Sequence, residues 1–167
     1  VAYFKLYHPL EFYATFFSVR SKQYEISTMV KGEEAIIARL NELKDRMHDP
    51  KNPLSSKESD IYKTLEISIE MIQRGYKFLN IDLNKSDATN FIVDHKNKAL
   101  IPPFITLDGL GENNAITVIK AREEAPFSSK KDLLSRTQLS STNVNDLAEL
   151  GVLDNLPDSD EISLFDF

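Results

Sequence analysis

The residue types that most often perform chemistry in proteins are sparse in this chain and poorly spaced for it. Its three histidines, His8, His48 and His95, stand far apart in the sequence, which contains no cysteine. A zinc site needs such ligands at short and regular spacings. We therefore expect neither a metal centre built on histidine or cysteine nor a disulfide framework.

Carboxylates offer no better candidate for a catalytic centre. Asp82, Asp87 and Asp94 fall in segments that read as strands and turns, and their spacing predicts no shared metal ion. Phosphoryl-transfer enzymes commonly hold two Mg²⁺ ions with clustered carboxylates. We expect these aspartates to be solvated at the surface, and we expect the chain itself to bind no cofactor.

The strongest chemical signal is a pair of glycines, Gly109 and Gly111, in the stretch LDGLGENNAITVIKAREE at residues 107–124. Glycine tolerates a positive φ and carries no side chain, so the N–H groups of this turn can face outward together. A helix predicted from about Glu112 to Glu124 would present its free N–H groups at the same place, where anions are attracted. A nucleic-acid phosphate fits such a nest of donors without any base being read.

Basic residues could add charge on either side of a bound phosphate backbone. Lys120 lies further along the same predicted helix, and Lys130 and Lys131 open the following one. An isolated G-x-G is more often an ordinary turn between two packed helices. Its position between a short helix and an amphipathic one favours the binding interpretation here.

Charge and hydropathy limit the remaining classes of function. The net charge of −6 argues against a globally basic nucleic-acid binder, but the acidity is concentrated in residues 154–167, which hold five acids and no Lys or Arg. Residues 109–136 hold five bases and four acids. No apolar run approaches the length of a membrane span and no signal peptide opens the chain, so we expect a cytoplasmic protein without membrane contact. The abrupt opening VAYFKLYHPLEF suggests a cut inside a larger protein.

The elements that must position the glycine pair are mainly helical. Residues 1–75 predict three helices: one from Pro9, one over Glu33–Met47, and one that follows a capping box of Ser55 and Glu58 and stops at Gly75. The last two should form an antiparallel pair. We place a domain boundary near Gly75.

After that boundary the composition becomes strand-like. YKFLNIDL should be a strand with Leu79, Ile81 and Leu83 on one face, and FIVDHKNKALI should be two short strands around a polar turn. A short helix opened by Pro102 and Pro103 should precede the glycines. Helices over residues 129–136 and 140–150 would complete two helix–hairpin–helix units in tandem, the second lacking the paired glycines. The predicted fold class is therefore mainly α with a small β element (α+β).

Several blocks together resemble the C-terminal end of the bacterial DNA polymerase III alpha subunit of the PolC type. They are GYKFLNIDLNKSDATNFIV, LIPPFITLDGLGENNAITVIKAREEAPF, SKKDLLSRTQLS and ISLF. The resemblance implies that residues 1–75 are the last part of a fingers region and that residues 76–153 are a (helix–hairpin–helix)₂ domain. Such a domain binds the backbone of double-stranded product DNA without sequence preference. The palm domain and its Mg²⁺ would lie upstream, so this chain would be a part of the polymerase without catalytic residues.

The resulting set of DNA-contact residues combines the hairpin with its flanking polar side chains. It comprises Gly109, Leu110, Gly111, Asn113, Lys120, Lys130 and Lys131.

The closing segment NLPDSDEISLFDF, residues 155–167, joins an acidic stretch to an apolar end. Its proline and acids predict an extended, poorly ordered tail, whose apolar residues either dock on a partner or fold back on their own domain. By resemblance to the PolC family, Glu161-Ile162-Ser163-Leu164-Phe165 is a motif that binds the beta sliding clamp and supports processive synthesis. Leu164 and Phe165 match its two anchors, whereas Ile162 replaces a leucine and Glu161 a glutamine.

Two other classes of function remain open from the sequence. The chain could be a helical protein-interaction module in which GLG is only a turn and no DNA binds. It could also be a helix–hairpin–helix repair nuclease or glycosylase, for which Lys120 and Asp108 are the only candidates for a catalytic residue near the hairpin.

Overall fold

Helices dominate the first half of the chain in the computed structural model, which describes residues 2–160. They are α1 (Ala2–Tyr7), α2 (Pro9–Val19), α3 (Ile26–Met29), α4 (Glu33–Met47) and α5 (Ser56–Gln73), with a 3-10 helix at Ser21–Gln23 between α2 and α3. The predicted helix starting at Pro9 and the predicted helix over residues 33–47 are confirmed. The short helices α1 and α3 were not predicted.

The helices α4 and α5 pack as the predicted antiparallel pair. The Ser55 hydroxyl accepts a hydrogen bond from the Glu58 N–H at 3.1 Å, and the Glu58 carboxylate accepts one from the Ser55 N–H at 3.3 Å. This reciprocal capping satisfies two N–H groups at the start of α5. Gly75 ends the element with φ at +93°, a conformation that glycine adopts without steric cost.

A small three-stranded sheet follows, with β1 (Lys77–Phe78), β2 (Ile92–Asp94) and β3 (Ala99–Ile101) in the order β1-β3-β2. β2 and β3 form the predicted antiparallel pair around the polar turn, and β1 adds to β3 in parallel.

The predicted first strand is wrong beyond Phe78, and local side chains explain why. The Asn80 side chain accepts a hydrogen bond from the Ile81 N–H, and Asp82 accepts one from the Asn84 N–H, each at 2.8 Å. These bonds turn the chain away from the sheet, because they offer the backbone an alternative to strand pairing. Ile81 is buried nonetheless.

Three helices complete the described chain: α6 (Glu112–Glu124), α7 (Lys130–Arg136) and α8 (Ser141–Glu149). They confirm the three helices predicted after the glycine pair. The Ser129 and Ser140 hydroxyls cap α7 and α8 by accepting hydrogen bonds from Asp132 and Asn143. The predicted helix before the glycines is a single 3-10 turn, Phe104–Thr106. The fold is thus mainly helical with a small sheet, as predicted.

One hydrophobic cluster runs through both halves of the chain. The Phe17 ring of α2 lies 5.0 Å from that of Phe78 and 5.8 Å from that of Phe91, centroid to centroid, and Tyr24 packs on the same rings. Through this aromatic cluster, α2 and the residues that follow it pack on the sheet. The glycine turn follows the sheet in the chain. None of the helices within residues 2–160 is long and apolar enough to cross a membrane.

Candidate nucleic-acid interface

The glycine pair lies at an exposed turn between the 3-10 helix at Phe104–Thr106 and α6. The Leu110 N–H donates a hydrogen bond to the Leu107 carbonyl at 3.2 Å, which closes the turn. Both leucines are buried, so they hold the turn against the core while Asp108, Gly109 and Gly111 face solvent. We call residues 107–111 the hairpin.

The two glycines differ in backbone conformation. Gly109 has φ at +78°, the left-handed region that side chains disfavour. Gly111 does not share this conformation: its φ is −83° and it is the N-cap residue of α6. A Cβ at either position would meet nothing within 4 Å. Internal packing therefore does not exclude a side chain at Gly111, and an external molecule can approach the main chain at both glycines.

The first turn of α6 supplies donors beside the hairpin. Its N-cap residue has no side chain that could accept a hydrogen bond, and the residues described as far as Asp160 supply no other capping side chain. Helix N-termini in this state attract anions through unsatisfied N–H groups and the helix dipole. Asn113 is exposed in this turn and adds an amide that can donate to a phosphate oxygen.

The structure separates the remaining predicted DNA-contact residues. Leu110 is fully buried and its N–H already donates to the Leu107 carbonyl, so this residue holds the turn in place. Lys120 is exposed on α6, eight residues beyond Glu112 and therefore about 12 Å along the helix axis. Asp108 and Lys120 therefore form no compact catalytic pair at the hairpin.

Arg136 joins the two helix–hairpin–helix units. Its guanidinium donates to the carbonyl oxygens of Ala121 at 2.7 Å, Ala125 at 2.9 Å and Pro126 at 3.2 Å, and it pairs with Asp132 at 3.0 Å. These bonds fasten α7 to the end of α6. Because the carbonyls at a helix C-terminus lack partners within the helix, a planar cation with several donors is well suited to this position.

The second helix–hairpin–helix unit also contacts the hairpin, through the first residues of α8. The Asn143 amide nitrogen, at the start of α8, lies 3.5 Å from the Gly109 carbonyl oxygen. Asn143 is buried and its side-chain oxygen accepts a hydrogen bond from the Ser140 N–H. The hairpin is thus positioned by both units, although the second contributes no glycine pair of its own.

Lys130 and Lys131 contact the acidic segment that begins at Asp154. Their main-chain N–H groups donate to the carbonyls of Pro157 at 2.9 Å and Asp158 at 3.0 Å. The Lys130 ammonium pairs with the Asp158 carboxylate at 3.1 Å. The two lysines are therefore already engaged with the chain's own acidic segment.

The segment is held by one further carboxylate. Asp160 accepts hydrogen bonds from the hydroxyls of Ser128 at 2.9 Å and Ser129 at 3.2 Å. Up to Asp160 the segment therefore contacts its own domain. Glu161, Ile162, Ser163, Leu164 and Phe165, which form the predicted clamp motif, lie outside the described residues.

The three aspartates considered for metal binding instead shape turns. Asp82 and Asp87 accept hydrogen bonds from main-chain N–H groups two or three residues ahead. Asp94 accepts from the Asn97 side chain and main chain, and these bonds hold the pKa of Asp94 below its usual range. Within residues 2–160 there is no group of three or more His, Cys, Asp or Glu that could hold a metal ion.

One basic residue near the hairpin could not be identified from local sequence. The Lys22 ammonium nitrogen lies 3.5 Å from the Leu110 carbonyl oxygen, although the two residues are 88 positions apart. No helical or strand periodicity connects positions so distant. Only the packing of the 3-10 helix at Ser21–Gln23 against the hairpin region brings them together.

Comparison with known proteins agrees with this geometry. A family model described as the helix-hairpin-helix motif matches residues 75–161. The DNA polymerase III PolC-type of Streptococcus pneumoniae serotype 2 is 47% identical over 166 residues, which are 99% of this chain and 11% of that protein. Proteins of the same description from Streptococcus thermophilus and Streptococcus mutans are 46% and 45% identical over the same share.

The chain therefore spans about 11% of the length of the curated relatives that it matches. The matched residues 75–161 make up more than half of the chain and include the hairpin, α6, α7 and α8. The chain belongs to the helix-hairpin-helix family.

Proposed function

We propose that this chain is a DNA-binding part of a PolC-type replicative polymerase and that its hairpin holds the backbone of the duplex product. The observation that carries the proposal is the open main chain at Gly109 and Gly111, where a Cβ would meet nothing within 4 Å. Next to it, the N-cap residue of α6 is Gly111, which offers no side chain to cap the first turn. Main-chain donors of this kind contact phosphates and read no base, so binding is independent of sequence.

In this proposal the contacts follow one strand of the duplex. The main chain at Gly109 and Gly111 approaches a phosphate, buried Leu110 holds the turn between them, and the Asn113 amide donates to a neighbouring oxygen. Lys120 adds charge further along α6.

At the second unit, Lys130 and Lys131 continue the positive surface. Lys130 would have to exchange the Asp158 carboxylate for a phosphate. Their contribution to affinity should therefore be smaller than that of the hairpin, since binding there must first break contacts within the chain.

The enzymatic activity belongs to the longer protein. The names of the relatives support DNA-directed DNA polymerisation, a nucleotidyl transfer, as the reaction of the parent protein. The chain's own residues would hold DNA and contact upstream polymerase domains, whereas the carboxylates and Mg²⁺ would lie in the palm. A cytoplasmic location is consistent with this role.

The closing motif Glu161–Phe165 is proposed to bind the sliding clamp, and so to keep the polymerase on DNA. Support comes from its sequence, in which Leu164 and Phe165 match the two apolar anchors. A short peptide of this kind binds at about micromolar strength, and tethering to the same DNA raises its effective concentration. Leu164→Ala/Phe165→Ala should abolish binding to the clamp in a surface-plasmon-resonance assay; unchanged binding would remove this part of the proposal.

A protein-interaction module is the second candidate, because acidic residues surround the hairpin. Asp108 and Glu112 are both exposed beside the glycines, and the chain carries a net charge of −6. These charges would suit a basic protein partner and weaken DNA binding at low salt.

Two substitutions at Gly111 separate these candidates. Asp and Asn are equally good N-cap residues and should preserve or improve the stability of α6. Only Asp places a negative charge where the phosphate is proposed to lie, and two like charges about 4 Å apart repel by at least about 1 kcal/mol. Gly111→Asp should therefore bind a labelled duplex at least about fivefold more weakly than Gly111→Asn.

The assay is fluorescence anisotropy with two duplexes of unrelated sequence, at several salt concentrations, with thermal unfolding of both variants as the control. Salt-sensitive binding that is equal for both duplexes supports the polymerase proposal. Equal affinities of the two variants, or an unaltered chain that binds no duplex, would favour the protein-interaction module.

A further inference from the structure

A cleft with a volume of about 420 Å³ lies beside the hairpin. It separates the hairpin from the 3-10 helix at Ser21–Gln23 and the start of α5. One wall contains Asp108 and Gly109 of the hairpin. The other contains Lys22 of the 3-10 helix and Lys57 and Asp60 of α5. The cleft is thus continuous with the proposed phosphate-binding turn, but six of its eleven lining residues precede the matched region 75–161.

Lys22 places a cation directly at the hairpin. Its side chain is exposed, yet its ammonium lies 3.5 Å from the Leu110 carbonyl oxygen. A single neutral acceptor at this distance satisfies little of an ammonium group, which has three donors. No salt bridge within the described range 2–160 involves Lys22, so it can donate to a phosphate at the hairpin without giving one up.

Lys57 provides a second cation on the same wall of the cleft as Lys22. It is the second residue of α5, and the capping box of Ser55 and Glu58 holds the backbone on either side of it. Its side chain is exposed, and none of the ion pairs among residues 2–160 involves it. The main chain at Lys57 is therefore held in place, and its ammonium group extends from a fixed position at the start of α5.

The cleft also contains two carboxylates, Asp60 and Asp108. Its formal charge is therefore balanced, so it does not attract polyanions by net charge alone. A phosphate can use it only by pairing with the lysines individually. This arrangement makes the salt dependence of binding, which counts lysine–phosphate contacts, the informative measurement.

We infer that Lys22 and Lys57 extend the phosphate-binding surface of the hairpin, so that the backbone of the bound duplex passes from the hairpin into the cleft. The inference rests on the proposed duplex binding. It assigns a DNA-contact role to the helical region 2–75, which would then grip the same strand as the hairpin. Specificity should not change, because the contacts are to phosphates.

The test compares Lys22→Gln/Lys57→Gln with Lys44→Gln/Lys63→Gln in the 167-residue chain. All four lysines are exposed, and the control pair changes net charge equally but lies on α4 and α5 outside the cleft. Duplex affinity is measured by anisotropy at several salt concentrations. The slope of log K against log salt is negative, and its magnitude should fall by about 1.8 for the cleft pair, because each lost contact accounts for about 0.9. For the control pair the slope should stay close to the wild-type value.

Equal slopes for the two double variants would overturn the inference, since net charge alone would then explain any change. If Gly111→Asp weakens binding but the cleft pair leaves the slope unchanged, the hairpin proposal stands and this inference falls. If the unaltered chain binds no duplex, both fall together.

Discussion

At the scale of single residues, Glu58 performs two tasks that are normally separate. Its carboxylate completes the capping box at the start of α5, and it also pairs with the Arg46 guanidinium near the end of α4, with a second contact at 3.1 Å. The Arg46 hydrogen bonds and the Ser55 N–H lower the pKa of Glu58 from 4.5 to about 2. The turn between the two helices therefore depends on one negative charge.

This charge predicts a specific loss of stability in acid. Because the folded-state pKa of Glu58 lies below 4.5, its carboxylate stabilises the fold above pH 4.5, and this contribution is lost as the pH falls toward about 2. Glu58→Gln keeps a side chain that can cap but removes the charge. The variant should be less stable than wild type near neutral pH, and the difference should shrink between pH 4.5 and 2 in urea titrations.

Glu66→Gln on the same helix is the matched control, since Glu66 is exposed. It should leave the acid dependence as in wild type. An offset between wild type and Glu58→Gln that stays constant with pH would show that the charge is not what stabilises this turn.

At the glycine pair, the sequence predicted the position of the turn correctly but not the conformation of each glycine. The G-x-G pattern placed the turn correctly, but it could not distinguish Gly109, with φ at +78°, from Gly111, with φ at −83°. Both conformations are open to glycine. What separates them is the packing of Leu107 and Leu110, which the pattern does not contain. Lys22 was missed for the same reason, as its neighbours lie far along the chain.

At the scale of elements, Arg136 is the joint between α6 and α7. Arg136→Lys keeps the charge and the Asp132 pair but cannot reach three carbonyls at once, because lysine presents one ammonium in place of a planar fork. The loss should cost about 1–3 kcal/mol, because up to three hydrogen bonds to main-chain carbonyls disappear, of which the one to Ala121 is partly buried. The midpoint of urea unfolding measures it.

Arg20→Lys is the comparison for this joint. Arg20 is exposed, and its guanidinium donates to the Phe16 carbonyl at 3.2 Å and lies 4.0 Å from the centroid of the Phe16 ring. Because these contacts are at the surface, its replacement should cost less than about 0.5 kcal/mol. Similar effects of the two substitutions would mean that Arg136 does not fasten the units together.

Elements with strong local signals were predictable, and those without them were not. The start of α2 at Pro9 and the capped start of α5 follow from residue types that suit helix ends. The strand predicted through residue 83 ended early because Asn80 and Asp82 hydrogen-bond to nearby main-chain groups. The helix α3 has only four residues, too few for a periodic pattern to appear.

At the scale of the whole molecule, the aromatic cluster joins the regions on either side of Gly75. Phe17 and Tyr24 come from the first region, and Phe78 and Phe91 from the second. The boundary near Gly75 was placed where the sequence changes from helical to strand-like composition, but the hydrophobic packing continues across it. The two regions should unfold together.

Phe17→Ala tests that cooperativity. Phe17 is fully buried, and its truncation should cost about 3–5 kcal/mol. Amide hydrogen exchange should become faster in both α5 and β3, although α5 precedes Gly75, as Phe17 does, and β3 follows it. Phe4→Ala, at a ring that is 41% exposed, should have little effect on either element. Faster exchange confined to residues 2–75 would indicate two independently folding units.

The hydrogen bond from the Asn80 amide to the Leu150 carbonyl, at 2.6 Å, joins positions 70 residues apart. It ties the start of the second region to the end of α8. During synthesis this contact cannot form until Leu150 has left the ribosome, and at about 5–20 residues per second the ribosome needs several seconds to make the intervening chain. The first region can collapse in that interval. The second region cannot complete its packing until α8 has been synthesised. In a nascent chain halted shortly before residue 150, this region should therefore remain sensitive to protease.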